Sequence, residues 1–335
     1  MKRISGETAS LYSDLRDRLF VMESIRSVAH LPGDFVSKEV KGRRYHYFQA
    51  TLPVSRAQIY IGPDSPDVRQ LIADRKTGRQ DAQDDELFIR RLSAQLIAGG
   101  IPPIHSDMAR VIERLAHSGV FHGGAVLVGG IAFQILGTHM GILWDTEVRM
   151  TQDIDIASED GRVDVGVLET GSNVPSTIES LKMGFFPVPR LSHKEPSTSF
   201  AIRGKTLRID LLTPLQGEKT TPVFISRLGA AAQPLKYLDY LIESPIHAAM
   251  VAGTPCLVKV PQPARFALHK LLISRERGSS SDKARKDVAQ AKAMIEIIKE
   301  EFPSDLATAK ADFVRRGSSW AKKLSSAIHQ THLDF

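Results

Sequence analysis

Residues 150–157 read MTQDIDIA, and the reading of this octapeptide decides the fold. Asp153 and Asp155 alternate with Ile154 and Ile156. In an extended strand, residues i and i+2 share a face, so the two carboxylates project together and the two isoleucines turn the other way, into a core. Strand interiors are depleted in aspartate, and a buried carboxylate without a partner is costly. Two neighbouring carboxylates also repel, and one takes up a proton unless a cation compensates. A hard divalent ion, which prefers oxygen ligands and keeps water for substrate phosphates, removes that conflict. The pair makes sense as a metal platform at a strand end. Alone, the same spacing also describes exposed turns and hydrogen-bonded structural pairs, so the flanking sequence has to carry the rest.

Upstream lies AVLVGGIAFQILG (125–137), an apolar strand, a glycine pair and a helix-like segment. Glycines at a strand-to-helix turn let phosphate oxygens approach backbone N–H groups at the positive end of the helix. Gly129 and Gly130 are the phosphate-binding candidates; a tight turn needing positive φ is the plainer alternative. Downstream lies KTLRIDLLTP (205–214), with Asp210 in another apolar strand. A cap or a salt-bridge partner is its structural alternative. Three acids on two strands behind a glycine turn form a pattern that each feature alone does not.

The chain has 335 residues, 42% hydrophobic and 24% charged, the composition of a folded protein long enough for about two domains. The first twenty residues, MKRISGETASLYSDLRDRLF, lack the apolar stretch of a secretory signal. The most apolar segment, 120–144, holds two histidines and six glycines and reads as strand, turn and helix rather than a membrane span. The single cysteine, Cys256, can form no internal disulfide, and a reducing, cytoplasmic setting is expected. Net charge is +6, compatible with a polyanionic partner. The run 270–286, KLLISRERGSSSDKARK, concentrates cations, which taken alone describes a solvated helix face.

Periodicity predicts helices over 8–30, 67–100 and 105–118, and paired strands within 43–62. Gly99-Gly100 and Pro102-Pro103 punctuate the chain. The expected organisation is an N-terminal α+β extension (1–101), a central domain of alternating strands and helices (102–260) and a C-terminal helical domain (261–335), in the α+β class with a mixed sheet.

The glycine pair, the D-x-D strand and the later acid resemble the DNA polymerase β-like nucleotidyltransferase superfamily. More closely, GTHMGILWDTEVRMTQDIDIA, LRIDLLTP and VPQPARFALHKLLISRER resemble a bacterial family of nucleotidyltransferase-fold proteins. GRRYHYFQA and IYIGPDSP near the N-terminus are similar to that family too, so the resemblance covers roughly residues 40–300. The architecture is also similar to the abortive-infection class of nucleotidyltransferase toxins. Two departures stand out: the stretch between Gly130 and Asp153 is longer than a short helix needs and includes MGILW, and the turn carries Gly129-Gly130 where a serine hydroxyl is usual.

The resemblance implies transfer of a nucleoside monophosphate from an NTP to a hydroxyl, with two Mg²⁺ ions, or Mn²⁺ in their place, held by Asp153, Asp155 and Asp210. It implies that Gly129 and Gly130 cradle the β- and γ-phosphates, that Lys270 supplies positive charge to the transition state, and that Arg275 assists at the nucleotide. Asp287 resembles an acidic position of the toxin-like relatives. The acceptor it implies is RNA, such as a tRNA 3′ end, or a protein side chain, and the basic balance tilts the choice to RNA. A toxin or defence role with an antitoxin-like partner follows from the same relatives. A catalytically silent module that binds RNA or a partner protein, and a small-molecule transferase of the antibiotic-modifying type, remain open. His139 and His193 could touch substrate or be structural. Tyr45, Tyr47 and Phe48 could stack bases, although one face of a small sheet is the ordinary reading. Phe133 and Trp144 read as core.

Overall fold

A computed structural model describes residues 1–24, 33–40, 42–51, 56–145, 151–159, 173–190, 192, 194–276, 281–331 and 333. His193 lies outside the described residues, as do 25–30 of the first expected helix.

The N-terminal part holds a short strand β1 (Lys2–Arg3), helix α1 (Gly6–Ser24), and an antiparallel sheet of β2 (Gly33–Val40), β3 (Arg43–Thr51) and β4 (Arg56–Pro63). Helix α2 (Pro66–Ala98) follows. Its start is written in the sequence: Ser65 accepts a hydrogen bond from the Val68 N–H at 3.2 Å, and Pro66 occupies the first turn, where its missing N–H costs nothing. In the small sheet Phe48 is buried and meets Phe35 edge-on, while Tyr45 and Tyr47 both lean on Tyr60.

The central part begins with α3 (Ser106–His117) and runs through β5 (Val126–Val128), α4 (Gly129–His139), β6 (Ile142–Leu143) and β7 (Asp153–Ala157). It continues through α5 (Val174–Ser180), β8 (Phe185–Pro187), β9 (Ser199–Ile202), β10 (Arg208–Pro214), β11 (Val223–Ile225), β12 (Ala230–Leu235) and α6 (Leu238–Ile242). A hairpin of β13 (Ile246–Met250) and β14 (Cys256–Val260) closes it. The main sheet has the order β11-β12-β10-β7-β5, with β9 pairing the first half of β10 and β8 pairing β9. Strand β10 runs parallel to β7 and β12 and antiparallel to β9, so the sheet is mixed and the fold class is α+β.

Four helices complete the chain: α7 (Pro263–Glu276), α8 (Asp282–Glu301), α9 (Pro303–Arg315) and α10 (Ser318–Thr331). One continuous buried cluster runs from Ile104 to Ala327, so these helices share a core with the main sheet. Tyr240 of α6 anchors them: its hydroxyl donates to the Ala309 carbonyl at 2.9 Å and its ring meets Phe313 edge-on. A second cluster joins α1 and α2 to the β13–β14 hairpin through Tyr12, Leu15, Leu92 and Leu96. Tyr12 donates to the Ala249 carbonyl and accepts from its N–H, at 3.2 and 3.1 Å. Ser93 makes the same reciprocal pair with Ala252.

The unusual MGILW stretch is part of this framework. Ile142 and Leu143 form β6, which pairs antiparallel with β1, and Trp144 stacks on Phe133 with centroids 4.7 Å apart. Its indole N–H donates to the Phe133 carbonyl at 2.8 Å. Residues 146–150, which follow, lie outside the described residues.

His139, at the end of α4, meets Tyr12 edge-on. Burial, and then the Arg16 charge, lowers its pKa from 6.5 to about 4, so it is neutral at pH 7. Below pH 6.5 the unfolded chain binds a proton here that the folded chain refuses, and stability falls as pH drops towards 4. Between pH 7 and 4.5 this loss should amount to about 2–3 kcal/mol. Urea unfolding at both pH values, for the parent and His139→Gln, checks it; an equal acid loss in both proteins refutes the assignment.

Candidate active site

Strand β7 delivers the carboxylates. Ile154 and Ile156 are fully buried on one face, and Asp153 and Asp155 stand half-buried on the other. On β10 the same alternation buries Ile209 and Leu211 and leaves Asp210 half-buried. The two strands run parallel with Asp155 opposite Asp210 and Asp153 opposite Arg208. Residues paired across a sheet share a face, so three acids and one arginine occupy the same side.

Asp155 is also opposite Val128, the last residue of β5. There the chain turns into α4 through Gly129, whose φ is +71°. A Cβ on Gly129 would lie 2.0 Å from Asp155 Oδ2, and one on Gly130 would lie 2.6 Å from the Thr151 side chain. Both glycines are therefore required by contact, and they bring the N-terminus of α4 against the acid face. Backbone N–H groups in the first turn of a helix have no intrahelical partner and carry positive potential.

Asp210 is held on its other flank. Arg208 Nε donates to Asp210 Oδ1 at 2.7 Å, and Arg208 Nη2 donates to Ser199 Oγ at 2.8 Å. The Ser199 hydroxyl donates in turn to the same Asp210 oxygen. Among the described residues, no three His, Cys, Asp or Glu side chains are already gathered as a metal cluster.

Lys270, on α7, is buried and donates to Asp287 Oδ1 of α8 at 2.6 Å; its ammonium also sits 5.4 Å from the Phe266 ring centroid. Lys286, beside Asp287, is the cation that sequence reasoning did not single out. It is half-buried and within electrostatic reach of Asp153 and Asp155. Burial, then the Lys270 charge, lowers its pKa, against the upward pull of Asp287, Asp153 and Asp155. Its sequence signal was its place next to Asp287 in a basic run; only helix packing shows which cation meets the acids. Arg275 stands apart, exposed in the last turn of α7, where it lines a groove with α8 and α10.

The structure thus brings together Asp153, Asp155, Asp210, Gly129 and Gly130, and links Lys270 to that face through Asp287 and Lys286. A family comparison gives the class. The family described as nucleotidyltransferase matches residues 106–315, well over half of the chain, and the protein belongs to that family. Among solved structures, an antigenic nucleotidyltransferase-like protein from Paracoccidioides brasiliensis is similar over 67% of this chain and 95% of its own. Identity there is 15% and the TM-score is 0.34. Among curated proteins, none matches. No helix of the described residues is long and apolar enough to cross a membrane.

The Lys270–Asp287 pair makes a sharp prediction. Removing one partner leaves a buried charge uncompensated, so Lys270→Met or Asp287→Leu should each cost about 3–5 kcal/mol in urea unfolding. The double variant Lys270→Met/Asp287→Leu should recover most of that loss. Additive losses would show that the two residues act independently.

Proposed function

We propose that this member of the nucleotidyltransferase family is an active enzyme that transfers a nucleoside monophosphate from an NTP to a hydroxyl, with RNA as the acceptor or, second, a protein side chain. The observation that carries the reading is the register pairing of Asp155 with Asp210, with Asp153 on the same face and the Gly129 turn pressed against Asp155. The donor set suits a hard divalent cation: carboxylate oxygens only, on the solvent side of a strand pair. Asp153 and Asp155 would hold it, with Asp210 beside them for a second ion. When bound, Mg²⁺ or Mn²⁺ supplies Lewis-acid neutralisation of the phosphates.

The chain's own groups do the rest. The Gly129 and Gly130 N–H groups at the start of α4 bind β- and γ-phosphate oxygens. Lys286 places positive charge by the acid pair, and Lys270 positions it by fixing Asp287 next to it. Arg208 and Ser199 orient Asp210. The acceptor oxygen attacks the α-phosphorus, the bridge to the β-phosphate breaks, and pyrophosphate leaves; the hydroxyl proton passes to an acid-face carboxylate and then to water. The cytoplasmic setting, and a toxin or defence role with an antitoxin-like partner, belong to this reading through the resemblance to abortive-infection transferases.

One observation favours a second reading, a silent module that binds RNA or a partner protein: Arg208 and Ser199 already occupy one oxygen of Asp210. Incubation with Mg²⁺, each α-³²P NTP, total RNA and lysate protein separates the two. Label should move to RNA or protein, and Asp153→Asn/Asp155→Asn should lower the rate by about 10²–10³-fold or more. Lys286→Met should cost about 10²-fold with an unchanged melting temperature, and Lys286→Arg should restore part of it. Nucleotide binding without any transfer would select the silent module.

A further inference from the structure

Helices α7, α8 and α10 enclose an open groove of about 620 Å³ on the face of α8 that Lys286 does not occupy. Its cations are Arg275 of α7 and Arg285 and Lys292 of α8, all exposed, and no acid lines it among the described residues. Ser274, Gln330 and Thr331 add hydroxyl and amide groups. Two carboxylates close in sequence to the lining residues are engaged. Asp282 pairs with Arg285 at the surface, with its side chain 92% exposed, and Glu276 is held by Lys323 at 2.6 Å. A surface pair of this kind is weak and is readily exchanged for a phosphate.

We propose that this groove binds the phosphodiester backbone of single-stranded RNA and leads its end to the acid face. Arg285, which lines the groove, and Lys286, which is half-buried and does not, are consecutive on α8, about 100° apart around its axis. The path proposed for the strand end runs past the first turns of α8, from Arg285 towards the acid face. Arg285 and Lys292 stand two turns apart, about 10 Å along the helix, wider than the contiguous phosphates of one NTP and suited to separate phosphates of an extended backbone. Among the described residues the lining holds no aromatic ring, so the proposed contacts are to the backbone and tolerant of sequence. The exposed Gln330 amide on the rim offers a partner to the ribose 2′-OH, which selects RNA over DNA. In this arrangement Arg275 serves the acceptor and not the nucleotide.

The inference rests on RNA being the acceptor, so its test avoids catalysis. Fluorescence anisotropy would follow a 5′-labelled 16-nucleotide single-stranded RNA of mixed sequence binding the full chain in EDTA without NTP. Arg275→Gln/Lys292→Gln should bind on the order of tenfold more weakly, and its salt slope should fall by about 1.4, the share of two single-strand phosphate contacts. Lys219→Gln/Lys236→Gln, which removes the same charge from exposed positions outside the groove, should bind like the parent. Equal loss in both variants, no loss in the groove variant, or DNA of the same sequence binding as tightly overturns the proposal. So does tripolyphosphate displacing the RNA at micromolar concentration, which would make the groove a small-anion site. Absence of label transfer in the assay above leaves this outcome untouched, so the two readings fail separately.

Discussion

The parallel pairing of β7 with β10 is the constraint on which the site depends. Its register sets Asp155 beside Asp210 and Asp153 beside Arg208, and the opposite face buries Ile154, Ile156, Ile209 and Leu211. A slip of one residue would turn the isoleucines to solvent and the carboxylates into the core, so the hydrophobic side holds the acidic side in place. The charge cluster is thus maintained by apolar burial at its back. The glycine turn completes the arrangement from the edge: with a Cβ at Gly129, Asp155 could not keep its position.

The C-terminal helices are part of the same device. They share the core of the main sheet, and α8 carries Asp287 and Lys286 side by side, one turned to Lys270 and the other to the acids. A buried ion pair adds little net stability against an apolar alternative, but breaking it leaves a charge buried without its partner, so α7 and α8 are tied at this point. The N-terminal helices serve a different purpose: the reciprocal bonds of Tyr12 to Ala249 and of Ser93 to Ala252 lash them to the β13–β14 hairpin, on the far end of the core.

Local signals were readable where one element satisfies itself. The α2 helix followed from apolar spacing over 67–100, the β3 and β4 strands from alternation, and the acid face from the period of two in DIDIA and RIDLL. The two-residue strands β1 and β6 were not readable, because a two-residue ladder has no period and forms only when distant segments meet. The role of MGILW was hidden for the same reason: Trp144 finds its place through the Phe133 ring and carbonyl. Lys270 was expected at the nucleotide, and the structure shows it spending its ammonium on Asp287. Whether a lysine meets a substrate or a buried carboxylate depends on what the neighbouring helix offers it, which periodicity does not encode.

Two strands with acids on one face, a glycine turn before them and helices after them were already legible in the order of residues. These are consequences of backbone geometry and of the free energy of burying isoleucine and leucine, both local. Packing across the whole core set Asp155 opposite Asp210, gave the latter Arg208 and Ser199 as partners, and gave Lys270 to Asp287. Electrostatic partnership depends on distance through space, and the helix rotations that set those distances come from packing across the whole core.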